Sequence, residues 1–174
     1  ASSLINFFMD KKIIKIKKDK VVKLCKLIGS DVILGINPSN SILSSNGKIK
    51  KFDKKINFFT LVVKPNFGCS TKYIFSKIKH FSKSKFNLPK SKMFDLNYLK
   101  NLDNDLETIV LKKYPELKNI KIFLGNFSNL AFVRMSGSGS SIIAYFHSKK
   151  ACSIALKKFK KKFNSYWCIE SKTI

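Results

Sequence analysis

The run AFVRMSGSGSSIIAYF, residues 131–146, interrupts an apolar β pattern with Ser136-Gly137-Ser138-Gly139-Ser140. Only 7 glycines occur in 174 residues, and two of them stand here, one residue apart. Glycine lacks Cβ, so it permits unusual φ and a close approach of the backbone to another group. A Ser/Gly loop turns several N–H donors and hydroxyls toward one point, which suits an anion. The same spacing also serves a tight hairpin turn, so Gly137, Ser138 and Gly139 are candidates for either role. Ser70-Thr71, at the start of an expected helix, can offer a hydroxyl and free N–H groups to a phosphate. Phe75 lies off the centre of the Ile74, Ile78, Phe81 stripe and can stack on a base from that flank, or join the core. Asp31, in the loop sequence GSDV, is a carboxylate that can serve as a cap, a surface loop residue or a proton acceptor.

Other chemistry-bearing residues point to structure. Asn104 with Glu107 three residues on is the signature of a capping box. Arg134 reads as a strand-edge cation. The four cysteines, at 25, 69, 152 and 168, have no CxxC spacing, and no disulfide framework is visible. Cys69 has nothing beside it that would activate a thiolate. His80 and His147 lie far apart without clustered partners, so no metal site is expected.

The elements that must position these residues follow from periodicity and punctuation. Residues 3–9 read as helix, and Asp19 as the cap of a helix to about Leu27 with Val22, Leu24, Cys25 and Ile28 inward and Gly29 at its end. SILSSNGKIKKF (41–52) reads as a hairpin turning at Asn46-Gly47. NFFTLVVKP (57–65) is a strand stopped by Pro65. Ser70 caps the next helix, residues 82–92 form a Ser/Lys/Pro loop, and a helix starts near Asn104. Pro115 opens another, which Gly125 closes. Strands 131–135 and 141–146 flank the Ser/Gly run, Ser148 caps a helix bearing Cys152, Ala155, Leu156, Phe159 and Phe163, and SYWCIES (165–171) is a last strand. From residue 57 on the order is that of a split βαβ, ferredoxin-like α+β fold with a helical insertion. A domain boundary is expected near residues 53–57.

At this length and with 44% hydrophobic residues the chain can bury a core. No apolar run reaches the length that spans a bilayer. The formal charge of +25 suggests an anionic partner such as RNA. Of the cations, however, only Arg134 is arginine, and nucleic-acid readers favour arginine's planar fork. Lysine, with the abundant Phe, Ile and Asn, follows the pattern of an A/T-rich coding sequence. Among the expected strands, AFVRMS offers an RNA platform only Phe132.

VRMSGSGSSIIAYF resembles the third motif of the GHMP small-molecule kinases: a basic residue, an apolar residue, a Ser/Thr-Gly-Ser/Thr-Gly turn and an apolar strand. Three further stretches match in order: LCKLIGSDVILG (24–35), LVVKPNFGCSTKYIF (61–75) and NDLE (104–107). Where the family has Pro after Asp-Val, this chain has Ile33. The resemblance implies a remnant of the family's N-terminal domain over 1–56 and its C-terminal domain over 57–174. It implies ATP and Mg²⁺ as cofactors and a cytoplasmic enzyme of isoprenoid precursor synthesis. The acceptor would be a small-molecule cytidyl-linked sugar alcohol, with no membrane or nucleic-acid partner. It makes Asp31 the catalytic base toward the acceptor hydroxyl, and Thr71, Phe75, Gly137, Ser138 and Gly139 substrate-binding residues, with Phe75 on the cytosine. The family's Gly-rich ATP-phosphate loop has no counterpart in this sequence, so a chain matching the C-terminal two-thirds of such an enzyme, inactive alone, is expected. Another GHMP kinase, or a Lys-rich RNA-binding α+β protein, are the alternatives.

Overall fold

The computed structural model describes residues 1–29, 31–36, 38–44 and 47–173. They form two compact units, Ala1–Lys55 with Ser84–Ser91, and Ile56–Lys83 with Lys92–Thr173. Among the described residues no helix is long and apolar enough to cross a membrane.

In the first unit, α1 (Ser2–Asp10) and α2 (Lys18–Ile28) precede a 3-10 turn over Val32–Gly35 and the antiparallel pair β1 (Asn40–Leu43) and β2 (Ile49–Phe52). The core is small: Ile5, Val21 and Cys25 are buried, with Met9, Ile16, Leu24 and Ile36 against them. The buried α2 stripe is thus Val21–Cys25, one helical turn apart, while Val22 and Ile28 of the expected stripe are exposed. Asp19 is not the cap. Lys17 holds that position, and Asp19 sits in the first turn, where its charge meets the positive end of the helix dipole. The hairpin forms as read. In its turn Gly47 adopts φ +76, and Asn46 lies outside the described residues. The Ser/Lys/Pro segment is fastened to this hairpin: Ser44 Oγ donates to the Phe86 carbonyl at 3.0 Å, and Lys50 Nζ to that of Pro89 at 3.3 Å.

The second unit holds β3 (Phe59–Lys64), α3 (Thr71–Ser76), α4 (Leu96–Lys100), α5 (Glu107–Lys113), α6 (Pro115–Gly125), β4 (Leu130–Met135), β5 (Ile142–Phe146), α7 (Lys149–Lys162) and β6 (Trp167–Lys172). The sheet order is β4-β5-β3-β6, antiparallel throughout, which is the ferredoxin-like order with α4 to α6 inserted. Register sets Leu61 opposite both Ala144 and Glu170. Period-2 alternation puts Leu61, Val63, Ile142, Ala144 and Phe146 on one face, all fully buried. Leu117, Ile120 and Leu124 of α6 and Ala155 and Phe159 of α7 complete that core. Ser70 and Ser148 cap α3 and α7 as their positions imply, each accepting an N–H three residues on. Pro115 opens α6.

Two further features depart from the sequence-based expectation. α3 ends at Ser76, so the stripe stops: Ile74 is fully buried, but Phe81 is 66% exposed and outside the helix. The 3-10 turn Ser91–Phe94 and α4 occupy a stretch that lacks the apolar spacing of a longer helix.

Candidate functional site

The Ser/Gly loop joins β4 to β5 and is closed by two backbone hydrogen bonds, Ser136 N–H to Ser141 O and Gly139 N–H to Ser136 O, both 2.9 Å. Both glycines are left-handed, Gly137 at φ +53 and Gly139 at φ +83. Their surroundings differ. A Cβ on Gly137 would meet nothing within 4 Å, whereas one on Gly139 would stand 3.1 Å from Cys69 Sγ and 3.1 Å from Met135 Sδ. The close approach that the motif requires is therefore at Gly139, and Gly137 is needed for its φ alone.

Three neighbours tether the loop. The buried Ser140 hydroxyl donates to the Phe67 carbonyl at 2.7 Å, securing the loop to the segment between β3 and α3. Thr71 Oγ1, in the first turn of α3, lies 2.9 Å from Ser138 Oγ. Asn104 Nδ2 donates to the Gly137 carbonyl at 2.8 Å and to that of Met135 at 3.3 Å. Asn104 and Glu107 do not form the expected reciprocal box. Asn104 Oδ1 accepts the Leu106 N–H at 3.0 Å, but Glu107 reaches across to β4, accepting the Met135 N–H at 3.1 Å and pairing with Lys121 at 2.7 Å. A capping box and a tertiary tether use the same residue types, so the pattern alone did not distinguish them.

Beside Gly137 lies an open cleft of about 380 Å³, with Phe75, Phe81, Asn104 and Arg134 among its walls. Phe75 is 49% exposed, so it faces outward from α3 and leaves the core to Ile74. Phe81, expected on the same helical stripe as Ile74, is instead an aromatic of this cleft. Its segment is held by Asp105, whose Oδ2 accepts from the Ser82 N–H at 2.9 Å and hydroxyl at 3.0 Å. Arg134 is an anchor: its guanidinium donates to the Leu102 carbonyl at 2.9 Å and to that of Leu99, and lies 5.0 Å over the Phe132 ring. The site therefore gathers Thr71, Phe75, Gly137, Ser138 and Gly139 in one unit, with Asn104 added.

Asp31 belongs to the first unit. It is exposed, and its carbonyl accepts the Leu34 N–H at 3.1 Å as the 3-10 turn begins. That turn is fixed by α1: Asn6 Nδ2 donates to the carbonyls of Gly35 at 3.2 Å and Ile36 at 3.0 Å. Gly35 packs so close to Ser2 that a Cβ there would clash with the Ser2 side chain.

Burial pushes the Cys69 thiol up, with Lys113 opposing, and burial with nearby Glu170 pushes Cys152 up to about 11. His80 and His147 are exposed. Among the described residues no three His, Cys, Asp or Glu side chains converge on a metal position. On the sheet, Phe132 is stacked on Tyr145 with ring centroids 4.3 Å apart.

No protein-family model matches the chain. It is 66% identical over all 174 residues to the 4-diphosphocytidyl-2-C-methyl-D-erythritol kinase of Pelagibacter ubique, covering 62% of that protein. It is 34% identical over 146 residues to the enzyme of the same name from Clostridium perfringens, covering 78% of this chain and 49% of the relative. A crystal structure of 4-(cytidine 5'-diphospho)-2C-methyl-D-erythritol kinase superposes with a TM-score of 0.75 at 16% identity, over 100% of this chain and 63% of that one. The chain thus spans less than two thirds of the length of the relatives it matches.

Proposed function

We propose that this chain, which belongs to the GHMP kinase family among the 4-diphosphocytidyl-2-C-methyl-D-erythritol kinases, supplies the acceptor side of an ATP-dependent kinase for that cytidyl substrate. The 66% identity over the full 174 residues carries this reading. On it, residues 1–56 belong to the enzyme's N-terminal domain and residues 57–174 to its C-terminal domain, with Ser84–Ser91 packing in the first unit. The reaction moves the γ-phosphoryl of ATP to the 2-hydroxyl of the acceptor, in non-mevalonate isoprenoid precursor synthesis.

In such a transfer the acceptor oxygen bonds to phosphorus as the bridging bond to ADP breaks, and the hydroxyl proton must leave. Asp31 is the group assigned to take it. The loop N–H groups and the Thr71 and Ser138 hydroxyls hold the acceptor's diphosphate, and Phe75 stacks on its cytosine. Mg²⁺ would neutralise phosphate charge when bound.

The test joins the chain to the remaining portion of a full-length relative. ATP-dependent phosphorylation of the cytidyl acceptor is expected. Turnover of a different alcohol instead would move the assignment to another GHMP kinase. The 174-residue polypeptide by itself is expected to release no phosphate above a no-protein control at millimolar ATP and Mg²⁺.

A further inference from the structure

We propose that Asn104 is a positioning residue of the Ser/Gly loop: through its amide NH₂ on the Gly137 carbonyl it aims the Ser138 N–H that the loop offers to an anion. This inference rests on the kinase reading above for the identity of the anion, the diphosphate of the acceptor.

The Asn104 side chain is divided between two tasks. Its Oδ1 serves its own segment by accepting the Leu106 N–H at 3.0 Å. Its Nδ2 serves the loop, 33 residues away in sequence, at 2.8 Å from the Gly137 carbonyl oxygen. The peptide from Gly137 to Ser138 is trans, since among the described residues the cis bond is Gly139–Ser140. In a trans peptide the C=O and the following N–H point in opposite directions. Holding the Gly137 oxygen therefore fixes the direction of the Ser138 N–H, which finds no acceptor among the described residues. Nδ2 also reaches the Met135 carbonyl at the end of β4, at the longer distance of 3.3 Å, but that end is held as well by Glu107, which accepts the Met135 N–H. The shorter Nδ2 bond is the one to the loop. It is also what resists rotation of a peptide flanked by left-handed Gly137, where the backbone is freest.

The experiment compares Asn104→Asp and Asn104→Ser with wild type in the chain completed by the remaining portion of a full-length relative. Both variants keep an oxygen for the Leu106 N–H, and Asp and Ser are as good as Asn in such local turns. Neither can donate to Gly137: the carboxylate opposes the carbonyl and the serine is too short. Melting temperatures within a few degrees of wild type are expected. The KM for the cytidyl acceptor should rise roughly tenfold, with kcat and the KM for ATP little changed. Hydrogen exchange in peptides covering 136–141 should quicken, while those covering 107–113 stay protected. If both variants match wild type in acceptor KM, or the loop exchanges at the wild-type rate, Asn104 is only a local cap and the proposal falls. A completed wild-type enzyme inert toward the cytidyl acceptor would sink the kinase reading, and with it the identity of the anion. The exchange rates would still decide whether Asn104 holds the loop.

Discussion

Thr71 Oγ1 and Ser138 Oγ stand 2.9 Å apart, joining the first turn of α3 to the turn between β4 and β5 across 67 residues of sequence. Each hydroxyl can donate to the other or turn outward to a ligand. Thr71→Val keeps the shape and removes that choice. Its expected effect is a severalfold higher KM for the cytidyl acceptor and a loss of stability of about 1 kcal/mol or less, because the pair is exposed. Thr71→Ser should restore both. A Val variant with wild-type KM would make the contact purely structural.

Asp31→Asn in the completed enzyme should leave far-UV circular dichroism and melting unchanged while cutting kcat by roughly 10²-fold or more, since it removes the proton acceptor and preserves shape. Undiminished turnover would place the base elsewhere.

The two loop glycines should respond unequally to alanine. Gly137→Ala meets open space and carries only the strain of a left-handed alanine, about 1–2 kcal/mol. Gly139→Ala adds contacts of 3.1 Å with the sulfurs of Cys69 and Met135. Chemical denaturation should therefore rank wild type above G137A and G137A above G139A. Equal midpoints for the two variants would mean that the sulfurs yield freely.

Cys152 makes stability fall at high pH. Burial and Glu170 raise its thiol to about 11, against the ordinary 9.0. Below 9 the thiol is neutral in both states. Between 9 and 11 the unfolded chain ionises first and is favoured, so stability declines by up to about 1.4 kcal/mol per pH unit. Urea midpoints measured from pH 8 to 11 should drop more steeply for wild type than for Cys152→Ala. Parallel curves would show that Cys152 is not the source of the decline.

The strands, the serine caps and the ferredoxin-like order were legible because they rest on local rules: alternation in β3 and β5, a hydroxyl one residue ahead of α3 and α7, Pro115 opening α6. Thr71, Ser138 and the glycines were legible by type, though the sequence did not distinguish Gly137 from Gly139, since the crowding comes from Cys69 and Met135. What escaped depends on partners distant in sequence. Asn104 and Glu107 satisfied a local pattern and were used for a distant one. Phe81 continued a periodicity that the backbone had already left at Ser76. α4 is too short to display any period.

β3 lies inside its sheet, yet both strands that flank it, β5 and β6, follow it by a long stretch of sequence. At a synthesis rate of about 5–20 residues per second, FTLVVK leaves the ribosome seconds before either edge can be covered. Such an apolar, proline-free segment invites pairing with other nascent chains. Lys54 and Lys55 precede it and Lys64 ends it. Flanking charges of this kind act as gatekeepers against aggregation. Part of this chain's abundance of lysine thus has a use during its birth, independent of any ligand.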